Sequence, residues 1–229
     1  MRLHRHHLLR LQSLRGMTIV HVGAHEGQEA ATYQAFGAGH VVFVEADPDR
    51  LPRLKAHVDK VATGDRPKLT ELLRLPRTKF TVLGALVGDT DGAQVPFYRF
   101  SNEGASSSIF RKAQLEEDRF PTVSETGETL SLPMQRLDTL LKTAGIAPET
   151  VDCLTLDVQG AELLCLRGAP ETLRSAKVLE VEVANSGWYA GGVLVEELEP
   201  WLQERGFSRT TMLRKKWVFQ DVIFRRSKG

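Results

Sequence analysis

The run Thr18-Ile-Val-His-Val-Gly-Ala-His-Glu-Gly27 constrains this chain more than any other stretch. Thr18 to Val22 is mostly apolar and β-branched, the composition of a buried strand. Gly23-Ala24-x-x-Gly27 then breaks the strand and opens a helix through Gln28, Glu29, Ala30 and Ala31. A second apolar strand, His40 to Val44, ends on Glu45. A strand, a glycine-bearing turn, a helix and a strand closing on a carboxylate form the unit that holds nucleotide-like ligands. Small residues let the backbone come close, and the carboxylate accepts hydrogen bonds from ribose hydroxyls.

The details of the turn choose between ligands. A dinucleotide fingerprint sets three glycines around a pyrophosphate. Here Gly23, Ala24, His25, Glu26 and Gly27 bring two glycines and an acidic residue. Glu26 suits the ammonium of an amino acid and sits badly against a pyrophosphate. S-adenosylmethionine (SAM) has an adenosine, a methionine ammonium and no phosphate, so these five residues and Glu45 read as a SAM site. An NAD-dependent oxidoreductase is the alternative, disfavoured by the missing middle glycine. A tight turn that binds nothing is the plain structural reading.

A chain of 229 residues suits one α/β domain with an ample core. A net charge of +1 gives no global field toward nucleic acid or an anionic membrane. Cys153 and Cys165 sit in apolar runs without metal-ligand spacing, which reads as buried thiols in a reducing, cytoplasmic setting. No apolar run is long enough to span a membrane. Residues 1–16 read as a basic helical extension, with Leu8, Leu9, Leu11 and Leu14 at near-helical spacing and no cleavage site of a signal peptide. Residues 17–229 read as the single domain.

Further along, Asp47-Pro48 is expected to start a helix running to about Val61, with a short helix at Leu69 to Leu75. Phe80 to Val87 reads as the third strand and Gln94 to Phe100 as its hairpin partner after the turn at Asp89 to Gly92. Residues 101–132 are polar and weakly patterned, as in a lid or substrate loop. Leu130 to Arg136 reads as a strand, followed by a short helix begun by Asp138. Val151 to Leu156 and Lys177 to Ala184 are core strands, each followed by a helix. Phe207 to Leu213 and Trp217 to Phe224 close the chain as an antiparallel pair. Strands alternating with helices imply a mainly parallel sheet covered on both faces.

Ligands in such a sheet bind beyond the carboxyl ends of the strands. That edge receives Glu26, Glu45 and Asp157. Asp157 faces the methionine moiety of the cofactor or the acceptor hydroxyl, or caps the helix that follows. His25 is a candidate general base. Glu180 and Glu182 lie in an apolar strand, and Glu182, nearer its carboxyl end, is assigned to the pocket. Gln159 and Ser107 are candidate cofactor contacts. Trp188 and Tyr189 either stack on a sugar or cover the core. No metal-ligand cluster stands out.

Val22-Gly-Ala-His-Glu-Gly27, Val44-Glu-Ala-Asp-Pro48, Asn102-Glu-Gly-Ala-Ser-Ser-Ser108, Arg136-Leu-Asp-Thr-Leu140, Leu156-Asp-Val-Gln-Gly-Ala-Glu-Leu163 and Arg167-Gly-Ala169 occur in this order. Together they resemble the FkbM-like family of SAM-dependent methyltransferases, over roughly Thr18 to Phe224. The resemblance implies a Rossmann-like class I methyltransferase fold, with seven strands, the last antiparallel, and helices on both faces. It implies methyl transfer to an oxygen, often a hydroxyl of a sugar, polyketide or other secondary metabolite. By position, Gly23, Ala24 and Gly27 would cradle SAM, Glu45 would bind its ribose, Ala46 would flank the adenine and Asp157 would lie near the transferring methyl. The chain departs from the family pattern at His21, where an acidic residue is common, at His25, where Asn is common, and at Thr155, where Lys is common.

A small-molecule or glycan O-methyltransferase is thus the leading reading, with no nucleic-acid partner; a homodimer is left open. A nucleic-acid methyltransferase is disfavoured by the neutral charge and by Asp157-Val-Gln-Gly160 where an amino-methylating enzyme often carries Asn/Asp-Pro-Pro-aromatic. A non-catalytic SAM-binding protein is the remaining alternative.

Overall fold

Alternation along the core strands decides the architecture, because successive side chains of a strand point to opposite faces. Ile19 of β1 (Thr18–Val22) joins one apolar cluster with Val41 and Phe43 of β2 (His40–Glu45). Val20 and Val22 join a second cluster with Val42 and Val44. Each face needs its own cover. Tyr33 of α1 (Ala30–Ala35) with Leu54 and Val58 of α2 (Leu51–Thr63) covers the first. The second is covered by α3 (Leu137–Thr143), α4 (Glu162–Arg167), α5 (Pro170–Ser175) and α6 (Val195–Gln203).

The computed structural model describes residues 14–65, 77–211 and 217–227. Among these, the main sheet has seven strands in the order β3-β2-β1-β7-β8-β10-β9. They are β3 (Lys79–Gly84), β7 (Cys153–Leu156), β8 (Val178–Ala184), β9 (Phe207–Arg209) and β10 (Phe219–Arg226), with β1 and β2. The five strands from β3 to β8 are mutually parallel, and β10 runs antiparallel to both of its neighbours. This is the Rossmann-like arrangement expected from the sequence, with helices on both faces. Cys153 and Cys165 are buried free thiols. Among the described residues, no helix is long and apolar enough to cross a membrane. The expected N-terminal helix (but for residues 14–16) and the expected helix at Leu69 to Leu75 lie outside the described residues.

Three elements differ from expectation. The strand Phe80 to Val87 is two strands. The chain leaves the main sheet at Gly84, and Leu86–Gly88 forms β4 of a second sheet, ordered β4-β6-β5. Gly84 packs on α2, where an added Cβ would lie 2.5 Å from Leu51 Cδ1. The partner of β5 (Gln94–Phe100) is β6 (Glu125–Arg136) and not the strand before the turn. β6 starts five residues earlier than read, because its exposed first half, Glu125 to Thr129, has no apolar pattern and is held through backbone pairing with β5. Finally, α2 starts at Leu51, since Asp47 Oδ1 accepts the Asp49 N–H at 3.0 Å in a turn that precedes the helix.

Asp138 lies in the first turn of α3, but its carboxylate serves another helix. It accepts the Glu171 N–H (2.6 Å), the Thr172 N–H (3.0 Å) and the Thr172 hydroxyl (2.7 Å) at the start of α5. Asp138 is 4% exposed, so its removal leaves buried donors without an acceptor. Asp138→Ala should lower the unfolding free energy by about 2–3 kcal/mol in urea titration. A loss below about 0.5 kcal/mol would show that water replaces the carboxylate.

Candidate active site

The sheet reverses its order of strand addition between β1 and β7, which is where an open α/β sheet forms its cleft. A cavity of about 940 Å³ opens there, along the carboxyl ends of β1, β2, β7 and β8. Ligand sites run from roughly 300 to 1,000 Å³, so this one has room for a cofactor and an acceptor together.

The end of the cavity at β1 and β2 is built on backbone. Gly23 has φ +82°, and a Cβ there would lie 1.8 Å from the Asp157 carbonyl oxygen. Its missing side chain lets the ends of β1 and β7 close on each other. Gly27, with φ +72°, lies against Leu54 Cδ1 and shapes the turn without lining the cavity. Ala24 and Ala46 are on the wall. Glu45 is buried (8% exposed), and both of its oxygens are fixed: Oε2 accepts the His25 N–H at 2.7 Å and Oε1 the Asp47 N–H at 2.8 Å. Burial pushes its carboxyl above the ordinary range despite these donors. Such a carboxylate is oriented in advance and presents its remaining lone pairs to a ligand hydroxyl.

Glu26 departs from the expectation of an ammonium contact. It is off the cavity wall and pairs with Arg50 and Arg53, each at 3.2 Å. Burial opposes its charge, but the Arg53 hydrogen bond and the charges of His25, Arg53 and Arg50 prevail and hold its pKa low. His25 lines the cavity with both ring nitrogens engaged. Nε2–H donates to the Glu103 carbonyl at 3.0 Å and Nδ1 accepts from Gln28 Nε2 at 3.1 Å. These two bonds tether the ring between the turn and the roof loop.

At the other end stand the carboxylates of Asp157 and Glu182. Gln159 Nε2 donates to Asp157 Oδ1 and, at 2.7 Å, to Glu182 Oε2. No side chain caps α4, so Asp157 does not have the capping role; Glu162 Oε1 accepts the N–H groups of Val158 (3.3 Å) and Gly160 (3.0 Å) in the turn before the helix. Burial, then the charges of Asp157, Asp221 and Glu162, push Glu182 far above the carboxylate range. Glu180 also lines the cavity, as do Gln28, Glu29, Asn102, Ser106 and Ser108. Glu180 was legible in principle, because residues two apart in a strand share a face. Among the described residues, no cluster of His, Cys, Asp and Glu is arranged to hold a metal ion.

The Asn-and-serine loop forms the roof. Asn102 Nδ2 donates to Ser106 Oγ (2.8 Å), and Ser106 N–H donates to Asn102 Oδ1 (3.2 Å). Ser107 Oγ, on the wall, accepts the Phe100 N–H at 3.2 Å. Ser108 Oγ donates to the Gln159 carbonyl at 2.7 Å. Trp188 and Tyr189 are buried, packed with Phe100 beneath this loop. Trp188 and the half-exposed Trp217 also line the cavity. Among the described residues, the non-glycine positions with positive φ are His25 (48°), Glu103 (55°) and Gln159 (57°), all at or beside this cavity. Such backbone strain concentrates at functional sites.

A family model for the FkbM methyltransferase domain matches residues 21–209. The chain belongs to the FkbM methyltransferase family. It is a SAM-dependent methyltransferase. Solved structures similar to it include a proposed RNA methyltransferase from Pyrococcus horikoshii, at 13% identity and TM-score 0.45, covering 93% of this chain and 75% of that one. Magnesium protoporphyrin IX methyltransferase from Synechocystis PCC 6803 is 11% identical at TM-score 0.44, with coverage of 93% and 72%. The ribosomal protein L11 methylase of Lactobacillus delbrueckii subsp. bulgaricus is 10% identical at TM-score 0.44, with coverage of 93% and 72%. No curated protein matches the chain.

Two of its departures from the family pattern are one structural feature. His21 and Thr155 are register partners on β1 and β7, and the buried Tyr33 hydroxyl reaches both, at 3.1 Å from His21 Nδ1 and 3.4 Å from Thr155 Oγ1. Hydrogen bonds to a tyrosine hydroxyl thus stand where the family pattern places charged residues. The residues present suit SAM. Glu45, a buried carboxylate held by two backbone N–H groups, and the small residues Gly23, Ala24 and Ala46 line the cavity, which fits a ribose-bearing cofactor.

The turn at Val158 to Gly160 depends on Glu162, whose carboxyl burial pushes up to about 7 from 4.5. The native state holds a proton that the unfolded chain releases. This contribution to stability is therefore fully present below about pH 4.5 and lost as pH rises through 7. Glu162→Gln keeps the acceptor oxygen and removes the titration. Urea unfolding at pH 5 and pH 7 should show the variant losing about 2 kcal/mol less over that interval than the parent. Equal losses would mean the carboxyl ionises as freely as in the unfolded chain.

Proposed function

We propose that this methyltransferase methylates a hydroxyl oxygen on a sugar, glycan or small secondary metabolite. The carrying observation is the pair Asp157 and Glu182, joined by Gln159, at the end of the cavity away from Glu45. A hydroxyl is a poor nucleophile until its proton leaves, so an oxygen acceptor requires a group to take that proton. Asp157 takes it in this reading. Glu182 keeps its own proton and lowers the charge beside Asp157. His25 holds the turn to the roof loop instead of acting as a base.

SAM supplies the methyl group on a sulfonium centre. The chain supplies the rest. Gly23 and Ala24 admit the cofactor against the end of β1, Glu45 holds the ribose, and Ala46 flanks the adenine. Ser107, Gln159 and the roof close over the reacting groups. Their main contribution is alignment, since in-line displacement demands that acceptor, methyl and sulfur lie on one axis. An enclosed cavity also strengthens each electrostatic contact by excluding water. Asp157-Val-Gln-Gly160 lacks the stacked Pro-Pro-aromatic run suited to a planar amine, which supports oxygen over nitrogen.

Glu45→Ala should weaken SAM binding by about 1–3 kcal/mol in titration calorimetry, the scale of hydrogen bonds to a charged acceptor. Unchanged affinity would remove Glu45 from the site. SAM and S-adenosylhomocysteine should each raise the thermal midpoint by roughly a few degrees, and NAD should not. The acceptor class is decided by labelled methyl transfer to hydroxyl compounds, their amine analogues and bulk RNA. Methyl ethers in the product support the proposal; label confined to nitrogen or RNA overturns it.

A further inference from the structure

Gln159 is held at three points. Ser108 Oγ donates to its carbonyl, its Nε2 faces two carboxylates, and its Oε1 lies 2.5 Å from the Tyr189 hydroxyl. The same hydroxyl lies 2.9 Å from the Ser106 carbonyl, so its single proton sits between two acceptor oxygens. An amide has two orientations related by a flip, and its surroundings choose between them. With Nε2 toward Asp157 and Glu182, two N–H groups meet two carboxylates. With Oε1 there instead, the amide oxygen faces carboxylate oxygens and is tolerated only when a carboxyl carries a proton for it.

From this geometry we infer that Tyr189 is a positioning residue: its hydroxyl fixes the Gln159 amide with both N–H groups on the Asp157–Glu182 pair, and so sets the pH at which that pair takes up protons. The inference rests on the assignment of Asp157 and Glu182 to the acceptor end. Asp157 follows β7, Glu182 lies on β8, and Asp221 on β10 is the register partner of Glu182. Glu162 on α4 adds a fourth carboxyl that acts on Glu182, and Arg119 also lines the cavity. Crowded acidic groups favour protonation, and the amide donors oppose it. The roof loop meets the same tyrosine hydroxyl through the Ser106 carbonyl, while Ser108 holds the Gln159 main-chain carbonyl. The placing of the roof and the protonation of the pair are therefore coupled by one tyrosine hydroxyl.

Tyr189→Phe removes the hydroxyl and keeps the ring against Trp188 (centroids 4.7 Å apart), Phe219 (5.8 Å) and Phe100 (6.1 Å). Carbon-13 NMR of labelled Asp and Glu carboxyls in the full chain, assigned with Asp157→Asn and Glu182→Gln, follows the pair directly. The lower titration midpoint should rise by about one pH unit in Tyr189→Phe, a tenfold change in proton affinity. Gln159→Met should raise it similarly, and adding Tyr189→Phe to Gln159→Met should raise it no further, because the hydroxyl acts through the amide. An unchanged midpoint in Tyr189→Phe, or additive shifts in the double variant, would overturn the inference. The titration needs no turnover, so its outcome is independent of whether the acceptor is an alcohol. Should Tyr189→Phe fail to fold, the midpoint in Gln159→Met decides alone: no rise overturns the inference.

Discussion

The close approach of β1 and β7 at Gly23 is the constraint on which the rest of the molecule depends. A single Cβ at that position would lie 1.8 Å from the Asp157 carbonyl oxygen. The Asp157 N–H donates to the Val22 carbonyl, while Gly23 and Ala24 N–H groups both reach the Val44 carbonyl. One turn is thus tied to β7 on one side and β2 on the other. Because three strand ends are fixed to each other, Glu45, His25 and Asp157 are placed by backbone geometry before any ligand enters. The glycine is required by strand packing, and the ligand site is a consequence of that packing.

Electrostatics divides the cavity into two halves with different tasks. Glu45 is buried but fixed by two backbone N–H groups, so it stands as a rigid acceptor. Glu182 is partly buried, and desolvation together with the charges of Asp157, Asp221 and Glu162 favours its protonated form. The hydrogen bonds that link it to Asp157 come from Gln159, a residue with strained backbone. The strain is held by Ser108 and Tyr189 from the roof side, so the part of the chain with least sequence pattern bears on the part with most chemistry.

Much of the fold was legible because its strands are buried on both faces and bounded by glycine turns. β1, β2, β7 and β8 all end within a residue or so of where their apolar runs end. The boundaries that were misread share a cause. β6 begins in polar residues that pair only through backbone, and β4 belongs to a sheet whose central strand comes about 40 residues later in the chain. Neither pairing leaves a local signal. At the site, positions carried by strand ends were readable, since the topology places them at one edge. Glu26 was not, because its arginine partners, Arg50 and Arg53, come from α2 and the residue just before it.

The sequence by itself determined the sheet, the glycine turn, the carboxylates at the strand ends and the family, since each is written in local spacing and residue type. The tertiary structure alone decided what each polar group does. Asp138 serves α5 instead of its own helix, Glu162 holds the turn before α4, and Trp188 and Tyr189 are buried together beneath the roof loop. It also brought His21 and Thr155 to one tyrosine hydroxyl and Gln159 to two carboxylates. Several of these contacts span tens of residues, such as Asp138 with Thr172 and Gln159 with Glu182. A hydrogen bond depends on distance and angle in space, and neither exists until the whole sheet has closed.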